Sequence, residues 1–397
     1  MLQSEVNTFP ESGLLYGYSP FREVQVFIDG MLAGVAWPFP VIFTGGVVPG
    51  LWRPIVGIDA FDLKEDEIDI TPWLPLLCNG AAHNFTIKIS GLNDNRNGTA
   101  SLSGTTDSYW LVTGKVFIWL DATGHVTTGE GPYEVTPAPN FQVSSSTGKS
   151  VNGTNETLLY QVNAQRSLSF ESTINLSHGN ETASWYQSLT FSNAGNYTDG
   201  GNTEMSDQQT TGYDMSSSGY ARHINYPLYA YSVYASYMDN ISYVATVNRG
   251  KDVQTLGQPV FPTGLESFSA VDGIHDIYSG FRGASLSTTQ DGNATYLANE
   301  TSQTSFSYGT TEQDMVFEGI HINVDPSTQK FPPISGSHEL FHRHVIAVNN
   351  TVTEDAETLV DQSIGHNHGR PGSGTGFAID GSNAHGGHWH GMRRQRV

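Results

Sequence analysis

Hydrolysis without a metal or an activated nucleophile needs two carboxyl groups, one of them able to hold a proton. Between residues 29 and 69 the sequence offers seven acids: Asp29, Asp59, Asp62, Glu65, Asp66, Glu67 and Asp69. Asp29 precedes Gly30 and reads as a hairpin turn residue. Glu65, Asp66 and Glu67, in "LKEDE", read as solvated, and Asp69, in "DITPWL", as a turn residue after a short strand. Asp59 and Asp62 remain as the catalytic candidates, because the apolar stretch around them can desolvate a carboxyl and raise its pKa. The competing role for each is an ordinary turn or cap. Arg53 is the only cation between Arg22 and Lys64. Its rigid fork of donors suits amide, carboxylate or sugar oxygens, and Trp52 beside it offers a face on which a sugar ring can stack. The alternative for Arg53 is neutralisation of a carboxylate at the edge of the core.

Other constellations lead elsewhere. His366, His368, His385, His388 and His390 form two H-x-H pairs, yet they lie in a Gly-rich tail without further groups to orient them. "HELFH" lacks the H-E-x-x-H spacing and stands in strand-like surroundings, which excludes a zinc-protease reading. There is no G-x-S-x-G elbow, P-loop or dinucleotide fingerprint. No metal site and no cofactor are expected. The seven tyrosines between Tyr220 and Tyr243 read first as strand and core-edge residues, and second as sugar-stacking faces.

The 397 residues are long enough for two or three domains. Only 14% are charged, and the formal charge is −21, which argues against nucleic acid or an anionic membrane as partner. No run of about 18 apolar residues occurs. The single cysteine, Cys78, excludes a disulfide within the chain. Eleven N-x-[ST] sequons, at Asn84, Asn97, Asn152, Asn155, Asn175, Asn180, Asn196, Asn240, Asn293, Asn299 and Asn349, favour a secreted glycoprotein. The first twenty residues do not resemble a signal peptide, so the expectation is an incomplete N-terminus; a cytosolic protein with idle sequons is the alternative.

The elements that must position these residues read as strands. Val24, Val26 and Ile28 alternate before the "DG" turn, and Phe85, Ile87 and Ile89 share a face. "GKVFIWLD" is apolar on both faces, Val116, Ile118 and Leu120 against Phe117 and Trp119, as a central sandwich strand would be. No window carries a helical period over three turns. The expected fold is all-β: a jelly-roll or β-sandwich over 1–135, a second antiparallel β-sandwich module over 141–350, and a disordered Gly/His-rich tail over 351–397, with a Gly- and Pro-rich boundary near 128–140.

The stretch "PFREVQVFIDGMLAGVAWPFPVIFTGGVVPGLWRPIVGIDAFDL", followed by "EIDITPWLPLL" and "SYWLVTGKVFIWLD", resembles the peptide-N4-(N-acetyl-β-glucosaminyl)asparagine amidase A family. The resemblance runs from Ser19 to Asp121 and continues more loosely through "SWYQSLTFSN", "YPLY" and "FHRHVIAVN". It implies hydrolysis of the amide joining N-acetylglucosamine to asparagine in N-glycopeptides, leaving aspartate. It also implies paired jelly rolls with the site between them, and Trp37, Trp52 and Arg53 as substrate-binding residues. Family members carry a further jelly roll before this stretch, which would hold the principal acids. The expectation is therefore an N-terminally truncated member that need not be active alone; the alternative is a non-catalytic carbohydrate-binding or structural β-sandwich glycoprotein.

Overall fold

The computed structural model describes residues 2–10, 16–106, 109–257, 263–268, 280–322 and 331–359, and the fold is all-β. The first part is small. Strands β1 (Glu23–Ile28) and β2 (Met31–Ala36) form the expected hairpin, turning through Asp29 and Gly30 at φ 50° and 84°. β3 (Phe85–Ser90) pairs with the other edge of β1, and β4 (Leu92–Asp94) pairs with β5 (Ala100–Leu102). Every helical piece among the described residues is a single turn, as a sequence without a helical period implies.

The second part is one eleven-stranded antiparallel sheet. Its strands are β6 (Thr128–Val135), β7 (Asn140–Lys149), β8 (Asn155–Leu176), β9 (Gly179–Thr198), β10 (Thr203–Ser216), β11 (Ala221–Tyr237), β12 (Asn240–Leu256), β13 (Gly283–Asn299), β14 (Thr304–Ile322), β15 (Ile334–Val348) and β16 (Thr351–Leu359). From β8 to β16 each strand pairs with the next, and β6 and β7 share the outer edge of β8. Along β8 alternate residues from Leu158 to Ile174 are buried, so the sheet has one inner face and one open face.

The inner face is covered from two directions. Phe21 stands edge-on to Trp37, Phe141 and Phe191 at 4.9–5.3 Å, joining the small sheet to β7 and β9. The rest of the cover is the irregular stretch from Trp37 to Trp73, which runs out along the sheet and back. Phe39 lies on Tyr226 of β11; Val48, Leu51 and Trp52 pack on Ala245 and Val247 of β12 and Ala294 of β13; Ile55 reaches Val345 and Ala347 of β15. The return limb passes Gln290 on β13, Lys251 on β12, Arg222 on β11 and Ser216 on β10, and ends with Trp73 against Phe170 of β8. A segment that crosses strands at an angle and contacts most of them from β8 to β15 cannot keep a period of its own. Its apolar residues face the sheet wherever the path allows, which accounts for composition without periodicity.

Three expectations need correction. "GKVFIWLD" is not a paired strand: residues 109–120 belong to no strand, and Leu111, Trp119 and Leu120 are 91%, 78% and 87% exposed. Its two apolar faces specify a strand covered on both sides, but alternation alone does not provide a pairing partner. The stretch is tied down at its ends by Lys115–Glu65 at 2.8 Å and by Asp121, which accepts from the Ser177 amide at 2.8 Å. The expected boundary at 128–140 is mostly strand β6, whose Pro132 falls at an irregularity in the pairing with β8, where a missing donor does least harm. Residues 351–359, assigned to the tail, form β16, which pairs with β15 as an exposed edge strand. The remaining tail, including the five histidines, lies outside the described residues.

Candidate active site

The return limb and the strands beneath it make a polar seam. The turn from Gly57 to Ala60 closes with Ala60 N–H donating to Gly57 O at 3.0 Å, and Asp59 takes φ 59°, a left-handed value unusual outside glycine. Three side chains from neighbouring strands hold this turn. Gln290, 1% exposed, donates to Val56 O at 2.9 Å; Arg249, 4% exposed, donates Nη2–H to Ile58 O at 3.1 Å; Lys251 forms an ion pair with Asp59. Arg249 and Lys251 also lie over the Phe39 ring, at 4.8 and 5.5 Å from its centroid. Burial, opposed by the Asp59 charge, pulls the Arg249 pKa down to about 10, so the guanidinium stays charged.

Farther along, Arg222 joins the limb to the sheet. It donates Nε–H and Nη2–H to Asp214 at 3.1 and 2.7 Å and Nη1–H to Asp66 at 2.8 Å. Asp214 also accepts from Gln187 Nε2 at 2.8 Å, and Gln187 pairs with both backbone groups of Val35, extending β2 as a strand would. Burial raises the Asp214 pKa, with Arg222 and Gln187 opposing. A second buried pair, Glu23 with Arg166, also takes the indole N–H of Trp37 and the Gln25 amide, each at 2.9 Å.

The fold treats the predicted residues unequally. Asp59 and Asp62 share the turn region, but Asp59 is committed to Lys251, whereas Asp62 is exposed and makes no ion pair or hydrogen bond among the described residues. Arg53 is exposed. Trp37 and Trp52 are each 3% exposed, Trp52 donating to Gly46 O at 2.6 Å within the core. As buried rings they offer no face to a sugar, and the substrate-binding role expected of them is corrected to a scaffold role. Asp66 and Glu65 are not merely solvated: they hold Arg222 and Lys115. Arg222, Asp214, Arg249 and Lys251 were not signalled by spacing, because their partners lie far off in sequence and polar residues at buried strand positions look like any other alternation break.

Two family patterns match the chain. "Peptide N-acetyl-beta-D-glucosaminyl asparaginase amidase A" covers residues 1–134, and the C-terminal domain of the same family covers 159–228. The chain belongs to the amidase A family. A curated relative, peptide-N4-(N-acetyl-beta-glucosaminyl)asparagine amidase A of Prunus dulcis, is 33% identical over 225 residues, 54% of this chain and 36% of the relative. The chain thus spans about a third of the length of that amidase A protein. No solved structure matches. The two amidase A regions meet at the seam: Asp59, Asp62 and Asp66 come from the first, Gln187, Asp214 and Arg222 from the second.

Proposed function

We propose that the chain carries the substrate-binding face of a glycoamidase that hydrolyses the N-acetylglucosaminyl–asparagine amide of N-glycopeptides, in a secreted setting. The observation that carries this reading is the meeting of both family-matched regions at Asp66–Arg222–Asp214, beside the turn that presents Asp62. Water attacks the asparagine side-chain carbonyl while Asp62 takes its proton. The carbon–nitrogen bond then breaks and Asp62 returns that proton to the nitrogen, leaving aspartate and a glycosylamine. Arg53 supplies donors to the carbonyl or to sugar oxygens, and Asp59, bound to Lys251, holds the turn.

A second reading, carbohydrate binding without turnover, is favoured by one observation. Asp59, Asp66 and Asp69 are engaged by Lys251, Arg222 and Thr71, so the limb presents one uncommitted carboxylate rather than a pair. Incubating the chain with a glycopeptide in H2(18)O at about pH 5 separates the two. Glycoamidase action puts one heavy oxygen into the new aspartate, and Asp62→Asn lowers the rate about a hundredfold or more. A bound but uncleaved glycopeptide supports the second reading. Release that leaves N-acetylglucosamine on asparagine overturns both.

A further inference from the structure

Phe61 directly follows the Gly57–Ala60 turn, and its ring is 76% exposed, with Asp62 and Leu63 exposed after it. On the same excursion Trp37, Phe39 and Trp52 are all under a tenth exposed. An exposed phenyl ring does nothing for the core. Yet the turn just before it is held by three side chains drawn from two adjacent strands: Arg249 and Gln290 grip its carbonyls and Lys251 the Asp59 carboxylate. Arg249 is buried to do this, and its Nε and Nη1 have no hydrogen-bond partner among the described residues, only the face of Phe39. Burying a guanidinium to grip a single carbonyl is costly, and Asp59 adds a left-handed backbone. Such support is expected where the position of a presented group matters, because it leaves little to order on binding.

We propose that Phe61 is the platform on which this site stacks the pyranose face of an N-acetylhexosamine, with the Asp62 carboxylate beside it accepting hydroxyl or amide protons. The apolar C–H face of a pyranose matches an exposed ring, and an adjacent uncommitted carboxylate matches its polar rim. Arg249, Lys251 and Gln290 are positioning residues, acting through the turn. The proposal rests on the carbohydrate-directed reading above.

The test uses the full chain, a peptide bearing N,N′-diacetylchitobiose on its asparagine, and the same peptide without sugar, titrated calorimetrically. Phe61→Ala weakens binding of the glycopeptide about three- to tenfold, Phe61→Trp restores it, and the thermal midpoint is unchanged. Tyr237→Ala is the control: its ring is 72% exposed but stands at the β11–β12 hairpin tip, roughly 30 Å along β12 from Arg249 at ~3.3 Å per residue, and it leaves binding unchanged. Equal affinity of wild type and Phe61→Ala for the glycopeptide overturns the platform. So does a loss of the same size on the bare peptide, which would mark a peptide contact. Glycopeptide that binds in a Phe61-dependent way but is never cleaved overturns the glycoamidase reading and leaves the platform standing.

Discussion

Trp52 and Asp62 are ten residues apart and opposite in kind. The indole is surrounded by Val48, Leu51, Ala245, Val247 and Ala294, so truncating it opens a cavity under two strands. Trp52→Ala is expected to cost about 3–5 kcal/mol in urea unfolding. Any loss of binding in that variant follows from the loss of fold. Asp62→Asn touches an exposed group and should shift stability by no more than about 0.5 kcal/mol while lowering turnover about a hundredfold or more. A destabilised Asp62→Asn, or a Trp52→Ala protein of native stability, would reverse the two assignments. The sequence made both residues visible as candidates, Trp52 by its type beside Arg53 and Asp62 by its apolar setting. It could not tell them apart, since exposure is a property of the sheet beneath them.

Among elements, the sheet edge formed by β14, β15 and β16 carries a pH response. His342 bonds to Asp314 at 2.8 Å, and this hydrogen bond raises its pKa above the ordinary 6.5. His344 faces the same carboxylate at 3.3 Å and Glu312 at 3.8 Å, and Glu339 adds to the negative field. A raised histidine pKa means that the folded state holds the proton more tightly. The stability it contributes is complete below the ordinary value and is lost as pH rises through the folded pKa. The thermal midpoint should therefore fall between about pH 6 and about pH 8, and His342→Gln should flatten that slope. A wild-type midpoint that climbs over this interval would contradict the assignment. At the acid end, Ser177 hydrogen bonds bring the Asp121 pKa down to about 2, so this tether persists until pH falls below the ordinary carboxylate range.

For the whole molecule, residues 109–120 leave a broad apolar surface exposed, from Tyr109 at 83% to Leu120 at 87%. Contiguous apolar surface of this kind is uncommon on a protein that works as an isolated monomer. The native protein should bind 1-anilinonaphthalene-8-sulfonate with a clear rise in fluorescence. Replacing Leu111, Ile118, Trp119 and Leu120 with glutamine should remove most of it. Unchanged dye binding would locate the apolar surface elsewhere.

By itself the sequence determined the class of the fold, the β1–β2 hairpin with its Asp29–Gly30 turn, the absence of long helices among the described residues and the family. All of these depend on local alternation, turn chemistry or a long contiguous motif. It did not determine which faces are buried. In β1 the polar Glu23 and Gln25 are buried as well as Ile28, and Arg166 and Trp37 meet Glu23 there from 143 and 14 residues away. Nor did it determine that "GKVFIWLD" would stand outside the strands, or that Asp66 would be held by Arg222 from 156 residues away. Only the tertiary structure decided those points. Pairing and desolvation come from groups distant in the chain, and an irregular segment laid across a sheet takes its inside and outside from the strands it crosses.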